Sequence, residues 1–155
     1  MIVVSDTSAI SNLILINRLE LLKSVFGKVL IPVKVYSEIT ALENFNVDLS
    51  NFKESDFIEV KEISNMNLFN NLIVNLDSGE SGAIVLAKEF QIKTIGLIGV
   101  LIKAKEMKII YSVKEILEEL RNTAGFWISQ NLYLEYNILL MNRFYKIISY
   151  YKFCL

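Results

Sequence analysis

The sequence predicts an α/β fold with a largely parallel sheet. Short β-branched runs at residues 2–4, 29–31 and 94–99 alternate with longer segments whose apolar residues recur at helical spacing. Polar capping residues stand where one pattern gives way to the other. The length of 155 residues suits one domain with one core, able to bury about two thirds of the extended chain's surface.

Ile2, Val3 and Val4 form a first strand that ends in Asp6-Thr7-Ser8, and Ile10, Leu13, Ile14, Ile16, Leu19 and Leu22 then follow the period of one helix. Val29-Leu30-Ile31 is a second buried strand. Pro32 sits where a helix begins, because its missing N–H is unpaired there in any case, and that helix carries Val35, Glu38 and Ile39. Residues 43–56 turn polar and Asn-rich, which reads as a surface connection, and residues 57–60 form a further strand. Leu76-Asp77-Ser78-Gly79-Glu80 opens a helix with Ala83, Ile84 and Ala87 on one face. The Gly-punctuated run at 94–99 leads into a helix through Leu101, Ile102 and Ala104. Ser112-Val113-Lys114-Glu115 has capping-box spacing ahead of Ile116, Leu117 and Leu120, Gly125 stops that helix, and Ser129 caps the next. There is no internal repeat, and no second domain is needed.

Composition removes several chemistries. The chain has no histidine and a single cysteine, Cys154, so it holds no Ser-His-Asp or Cys-His nucleophile, no His-ligated zinc or haem, no disulfide framework and no four-cysteine site. Nothing points to an oxidising compartment, and the cytoplasm is the expected location. The 17 Asp and Glu stand against 16 Lys and Arg, so the net charge of -1 creates no global field for nucleic acid. Mean hydropathy is +0.41, yet the charge-free stretch at residues 94–102 is far shorter than the roughly 20 residues of a membrane span. The opening MIVVSD lacks the basic region and cleavage site of a signal peptide and reads as a strand. Residues 136–155 contain Arg143, Lys146 and Lys152 among aromatics and no acid. Such a tail could bind RNA or a membrane surface, but a packed helix or an extension under little selection is the stronger reading.

Three acids stand where sites form in parallel sheets. Asp6 ends the first strand, Glu38 lies about two turns into the helix after Pro32, and Glu80 starts a later helix. Carboxylates without histidine make a hard-oxygen environment suited to Mg2+ or Mn2+, which polarise phosphate and activate water. Each acid also has a structural explanation. Asp6 can cap the helix beside Thr7 and Ser8, Glu38 can be a solvated helix residue, and Asp77 with Glu80 has the spacing of a capping box.

The stretches VVSDTSAISNL, IPVKVYSEI, LDSGESGAIVLA, TIGLIGVLIKAK and AGFWIS, taken in order, resemble the motifs of a PIN-like family of uncharacterised prokaryotic proteins. That family is related to the ribonuclease toxins of type II toxin-antitoxin modules. The resemblance implies a three-layer α/β/α sandwich with a central, mainly parallel sheet. It also implies an acidic Mg2+ or Mn2+ pocket that hydrolyses single-stranded RNA, with an antitoxin-like protein or a second copy as partner. Carried over residue by residue, Asp6, Glu38 and Glu80 are the metal-binding acids, while Thr7, Ser8 and Asp77 support them.

Departures from the pattern qualify that expectation. Ala9 replaces a proline. After residue 91 the family continues with a buried strand ending in an acidic motif and then a helix, whereas here Phe90-Gln91-Ile92-Lys93 runs into Thr94-Ile95-Gly96, with no acid between Glu89 and Glu106. One strand-helix unit, and the fourth acid with it, is therefore expected to be missing. The expected organisation is a single PIN-like domain over 1–135, shortened near 91–94, followed by an atypical basic and aromatic extension over 136–155. A missing strand should open a sheet edge, and a missing acid should weaken metal binding. The functional expectation is an endoribonuclease whose activity is weakened or lost, against the alternative of a non-catalytic relic or partner-binding module.

Overall fold

A computed structural model describes residues 1–126. The order of elements is β1 (Ile2–Ser5), α1 (Thr7–Leu15), α2 (Glu20–Phe26), β2 (Lys28–Pro32), α3 (Val33–Thr40), a 3-10 turn (Ala41–Phe45), α4 (Ser50–Lys53) and β3 (Ile58–Lys61). The second half is α5 (Met66–Leu72), α6 (Ser78–Phe90), β4 (Lys93–Ile95), α7 (Leu97–Glu106) and α8 (Val113–Ala124). The four strands pair in the order β3-β2-β1-β4, and every pairing is parallel.

Side chains alternate across a strand, so the sheet sorts its apolar residues to two faces. Val3, Val29 and Ile31 join Ile95 and the buried faces of α1, α2, α7 and α8 in the larger core, while Val4 and Leu30 pack against Ala83, Leu86 and Ala87 of α6. This is the expected three-layer α/β/α arrangement. Gly82 brings α6 close to the start of α3, since a Cβ there would meet Pro32 Cγ at 3.2 Å.

Several local expectations need correction. The single helix expected from Ile10 to Leu22 is two helices, α1 and α2, because Asn17 turns the chain at φ 54°. The Asn17 N–H donates to the Ile14 carbonyl and the Arg18 N–H to the Leu13 carbonyl, a Schellman closure that ends α1 without glycine. The polar connection at 43–56 is no mere surface loop, for α4 carries Phe52 into the core and Leu49 is buried beside it. A helix that hydropathy does not announce, α5, is capped by Asn65, whose side chain accepts from the Leu68 N–H at 3.0 Å. The run at 94–99 is strand only to Ile95, and α7 begins at Leu97. Gly125 does end α8, at φ 64°. Ser129 and the extension at 136–155 lie outside the described residues.

A short connection leads from α6 into the sheet. Gln91 and Ile92 alone separate α6 from β4, and β4 pairs with β1 through Val3–Lys93, Val4–Thr94 and Ser5–Ile95. β4 thus stands next to β1 at one end of the sheet, pairing with no other strand among the described residues. The buried Ser5 hydroxyl donates to the Ile95 carbonyl at 3.2 Å, tying the carboxyl ends of β1 and β4 together directly before Asp6.

Candidate active site

The carboxyl end of β1 delivers Asp6, Thr7 and Ser8 into the start of α1. Asp6 is the N-cap, with extended backbone, and its Oδ1 accepts from the Ala9 N–H at 2.9 Å. Asp77 caps α6 in the same way, its Oδ1 accepting from the Glu80 N–H at 2.7 Å. Two helix N-termini therefore open on one place, and their positive dipole ends favour the caps Asp6 and Asp77 and, in the first turn of α6, Glu80.

Glu38, a partly buried residue of α3, bridges these two starts. Its Oε2 accepts from the Thr7 hydroxyl at 2.5 Å and its Oε1 from the Ser78 hydroxyl at 2.9 Å, while the Lys34 ammonium lies 3.6 Å from Oε1. Gly79 makes this approach sterically feasible, because a Cβ on it would stand 2.7 Å from both Glu38 Oε2 and Thr7 Oγ1.

Asp6, Thr7, Ser8, Glu38, Asp77 and Glu80 together line a cavity of about 440 Å³. Residues separated by up to 74 positions in sequence, each singled out from local motifs, thus line one cavity. Ser78, Gly79 and Lys34 were missed. The LDSGE motif contains the first two, but their contact with Glu38 depends on how α3 and α6 cross, which the motif does not encode.

The donors fit a hard divalent cation in kind, being carboxylate and hydroxyl oxygens only. They do not fit it in placement. Among the described residues, no three acids stand close enough together to hold one metal ion.

A family model described as PIN domain matches residues 2–92 and 86–140. The chain belongs to the PIN domain family. It is accordingly a nuclease-family protein, of a domain type that generally uses divalent metals and acts on nucleic acid. The two matched segments meet where α6 runs into β4 of this PIN domain. No curated protein and no solved structure matches the chain significantly. Among the described residues no helix is long and apolar enough to cross a membrane.

Proposed function

We propose that this PIN domain descends from a Mg2+- or Mn2+-dependent endoribonuclease of the toxin-antitoxin type, acting in the cytoplasm on single-stranded RNA, and that its cleavage activity is weakened or lost. Asp6, Glu38 and Glu80 are the acids of the site, with Thr7, Ser8 and Asp77 in support. The observation that carries this reading is the cavity itself: it gathers all six residues, yet its acids are not clustered around a common point. Glu38 spends both oxygens on hydroxyls inside the protein, and β4 ends in Ile95-Gly96 with no acid to contribute. Fewer carboxylates converging on one point means a weaker local field for a divalent ion at ordinary concentrations.

What the chain retains is the scaffold on which partners of such proteins dock. An antitoxin-like protein or a second copy of the chain is the partner proposed with this reading.

Purified protein incubated with labelled single-stranded RNA and Mg2+ or Mn2+, beside Asp6→Ala, tests the proposal. At most slow cleavage, demanding excess metal, is expected. Brisk metal-dependent cleavage that Asp6→Ala abolishes would overturn the loss of activity. Slow cleavage that Asp6→Ala leaves untouched would remove Asp6 from the site.

A further inference from the structure

Glu38 is held by more of the protein than a metal-binding acid needs. A carboxylate is an acceptor with two oxygens, and here each oxygen receives a hydroxyl proton from a different helix: Oε2 from Thr7 at the first position of α1, Oε1 from Ser78 at the first position of α6. The donors lie 31 and 40 residues away in sequence, so neither contact is a by-product of local turn geometry. The Gly79 backbone closes the side next to Oε2, where even a methyl group would be too near. Lys34, one turn back on α3, sets its ammonium 3.6 Å from Oε1. A positive charge already beside the carboxylate opposes the approach of a second, doubly charged one.

We propose that Glu38 is a positioning residue: its carboxylate latches the N-termini of α1 and α6 to α3 through Thr7 and Ser78, and it is not a metal ligand. The latch fixes where Asp6 and Asp77, the caps of those two helices, stand in the lining of the cavity. The inference concerns the same cavity as the proposed function, but its test needs neither RNA nor activity, so the two fail separately.

The experiment is thermal unfolding in metal-free buffer containing a chelator, with the full chain. A latch predicts that Glu38→Ala lowers Tm by about 3–6 °C, a typical shift for losing a charged hydrogen-bonded group in a domain of this size. Glu38→Gln recovers at least half of that loss, because an amide can accept from one hydroxyl and donate to the other. Thr7→Val and Ser78→Ala each lower Tm as well, and the Thr7→Val/Glu38→Ala double variant loses less than the two single losses added. An unmetallated ligand among neighbouring carboxylates behaves oppositely: removing it relieves repulsion, so an unchanged or raised Tm for Glu38→Ala overturns the latch. Should Glu38→Ala not fold, the two hydroxyl variants decide, and no loss in either overturns it too. A final arm adds excess Mn2+ to wild type and Glu38→Gln. Equal shifts, zero included, support the latch, whereas a Mn2+-induced rise that only wild type shows makes Glu38 a ligand and sinks the proposal.

Discussion

Replacing Gly79 by alanine tests the packing at the centre of the candidate site through the sign of a stability change. Gly79 lies in the first turn of α6 with an ordinary helical backbone, so by helix propensity alone the substitution should stabilise the protein by up to about 1 kcal/mol. The structure opposes that gain. The new Cβ would meet Glu38 Oε2 and Thr7 Oγ1 at 2.7 Å and Asp77 Oδ1 at 3.4 Å, where ordinary contact begins only at 3.4 Å. Something must move, and the atoms in the way are the two partners of the 2.5 Å Thr7–Glu38 hydrogen bond. Hydrogen bonds to a charged group contribute about 1.5–3 kcal/mol each, and both bonds to Glu38 are loosened when its carboxylate is pushed aside. Set against the propensity gain, the expected result is a net loss of about 1–3 kcal/mol. Urea unfolding followed by far-UV circular dichroism measures it as a lower midpoint at unchanged slope. In a Thr7→Ala background, one obstructing atom and one hydrogen bond are already gone, so the penalty of Gly79→Ala should shrink by about 1 kcal/mol. A Gly79→Ala protein more stable than wild type would refute the geometry of Glu38, Thr7 and Gly79 described here.

Three further outcomes are expected. Gln91 ends α6 at φ 53°, closed by Gln91 N–H to the Lys88 carbonyl and Ile92 N–H to the Ala87 carbonyl, so Gln91→Gly should raise stability by about 0.5–1 kcal/mol, and a lower urea midpoint would argue against that backbone. Asp77→Ala removes the acceptor of the Glu80 N–H and should cost about 1 kcal/mol, while Asp77→Asn retains most of the cap; equal losses in both would mean that Asp77 acts by charge rather than as a cap. On the exposed rim of β2 and β3, Lys28 and Lys61 hydrogen-bond to Glu59 and hold its carboxyl at about 2, well under the ordinary 4.5. A depressed folded-state value contributes stability above the ordinary range and loses it as the pH falls toward 2. The difference in Tm between wild type and Glu59→Gln should therefore be steady near neutrality, narrow below pH 4.5, and diminish with salt; a difference that persists at pH 2 would exclude this ion pair as its source.

How far the fold can be read from the sequence depends on how local each signal is. Strands β1 and β2 are legible because Val3, Val4, Val29, Leu30 and Ile31 are apolar on both faces, the mark of a parallel strand covered by helices on each side. Helix ends are less legible. Where α1, the 3-10 turn, α6 and α7 stop, the left-handed positions are Asn17, Asn46, Gln91 and Lys108, and each is followed by the same pair of closing hydrogen bonds that glycine usually marks. With glycine absent from those positions, the boundary between α1 and α2 carries no punctuation, and an uninterrupted apolar period bridges it. The acids of the site are legible as motif positions, yet the role of Glu38 depends on Ser78 and Thr7, and that contact exists only once α3 and α6 have crossed.

A strand position beside β1 and an acid at a strand end make different demands on the sequence, and that difference lets a PIN fold stand apart from the proposed decline of its chemistry. The place beside β1 can be taken by any strand of suitable length, because parallel pairing is made by backbone groups that every residue carries. β4 does so, with Ile95 entering the core and the Ser5 hydroxyl fastened to its carbonyl. The connection left to it is short, but a Schellman turn at Gln91 and Ile92 needs no more than those two residues to reverse the chain from α6 into the sheet. An acid at a strand end cannot be supplied in this way, since it depends on one side chain at one position, and β4 brings Ile95 and Gly96 there. Asp6 and Asp77 do structural work as caps and Glu38 as the anchor of α1 and α6, roles that stabilise the fold whether or not a cation is bound. Placing an acid at the end of β4, by Gly96→Asp, should therefore enhance Mn2+ binding without a comparable gain in metal-free stability. Isothermal titration of that variant against wild type would refute the argument if Mn2+ affinity did not rise.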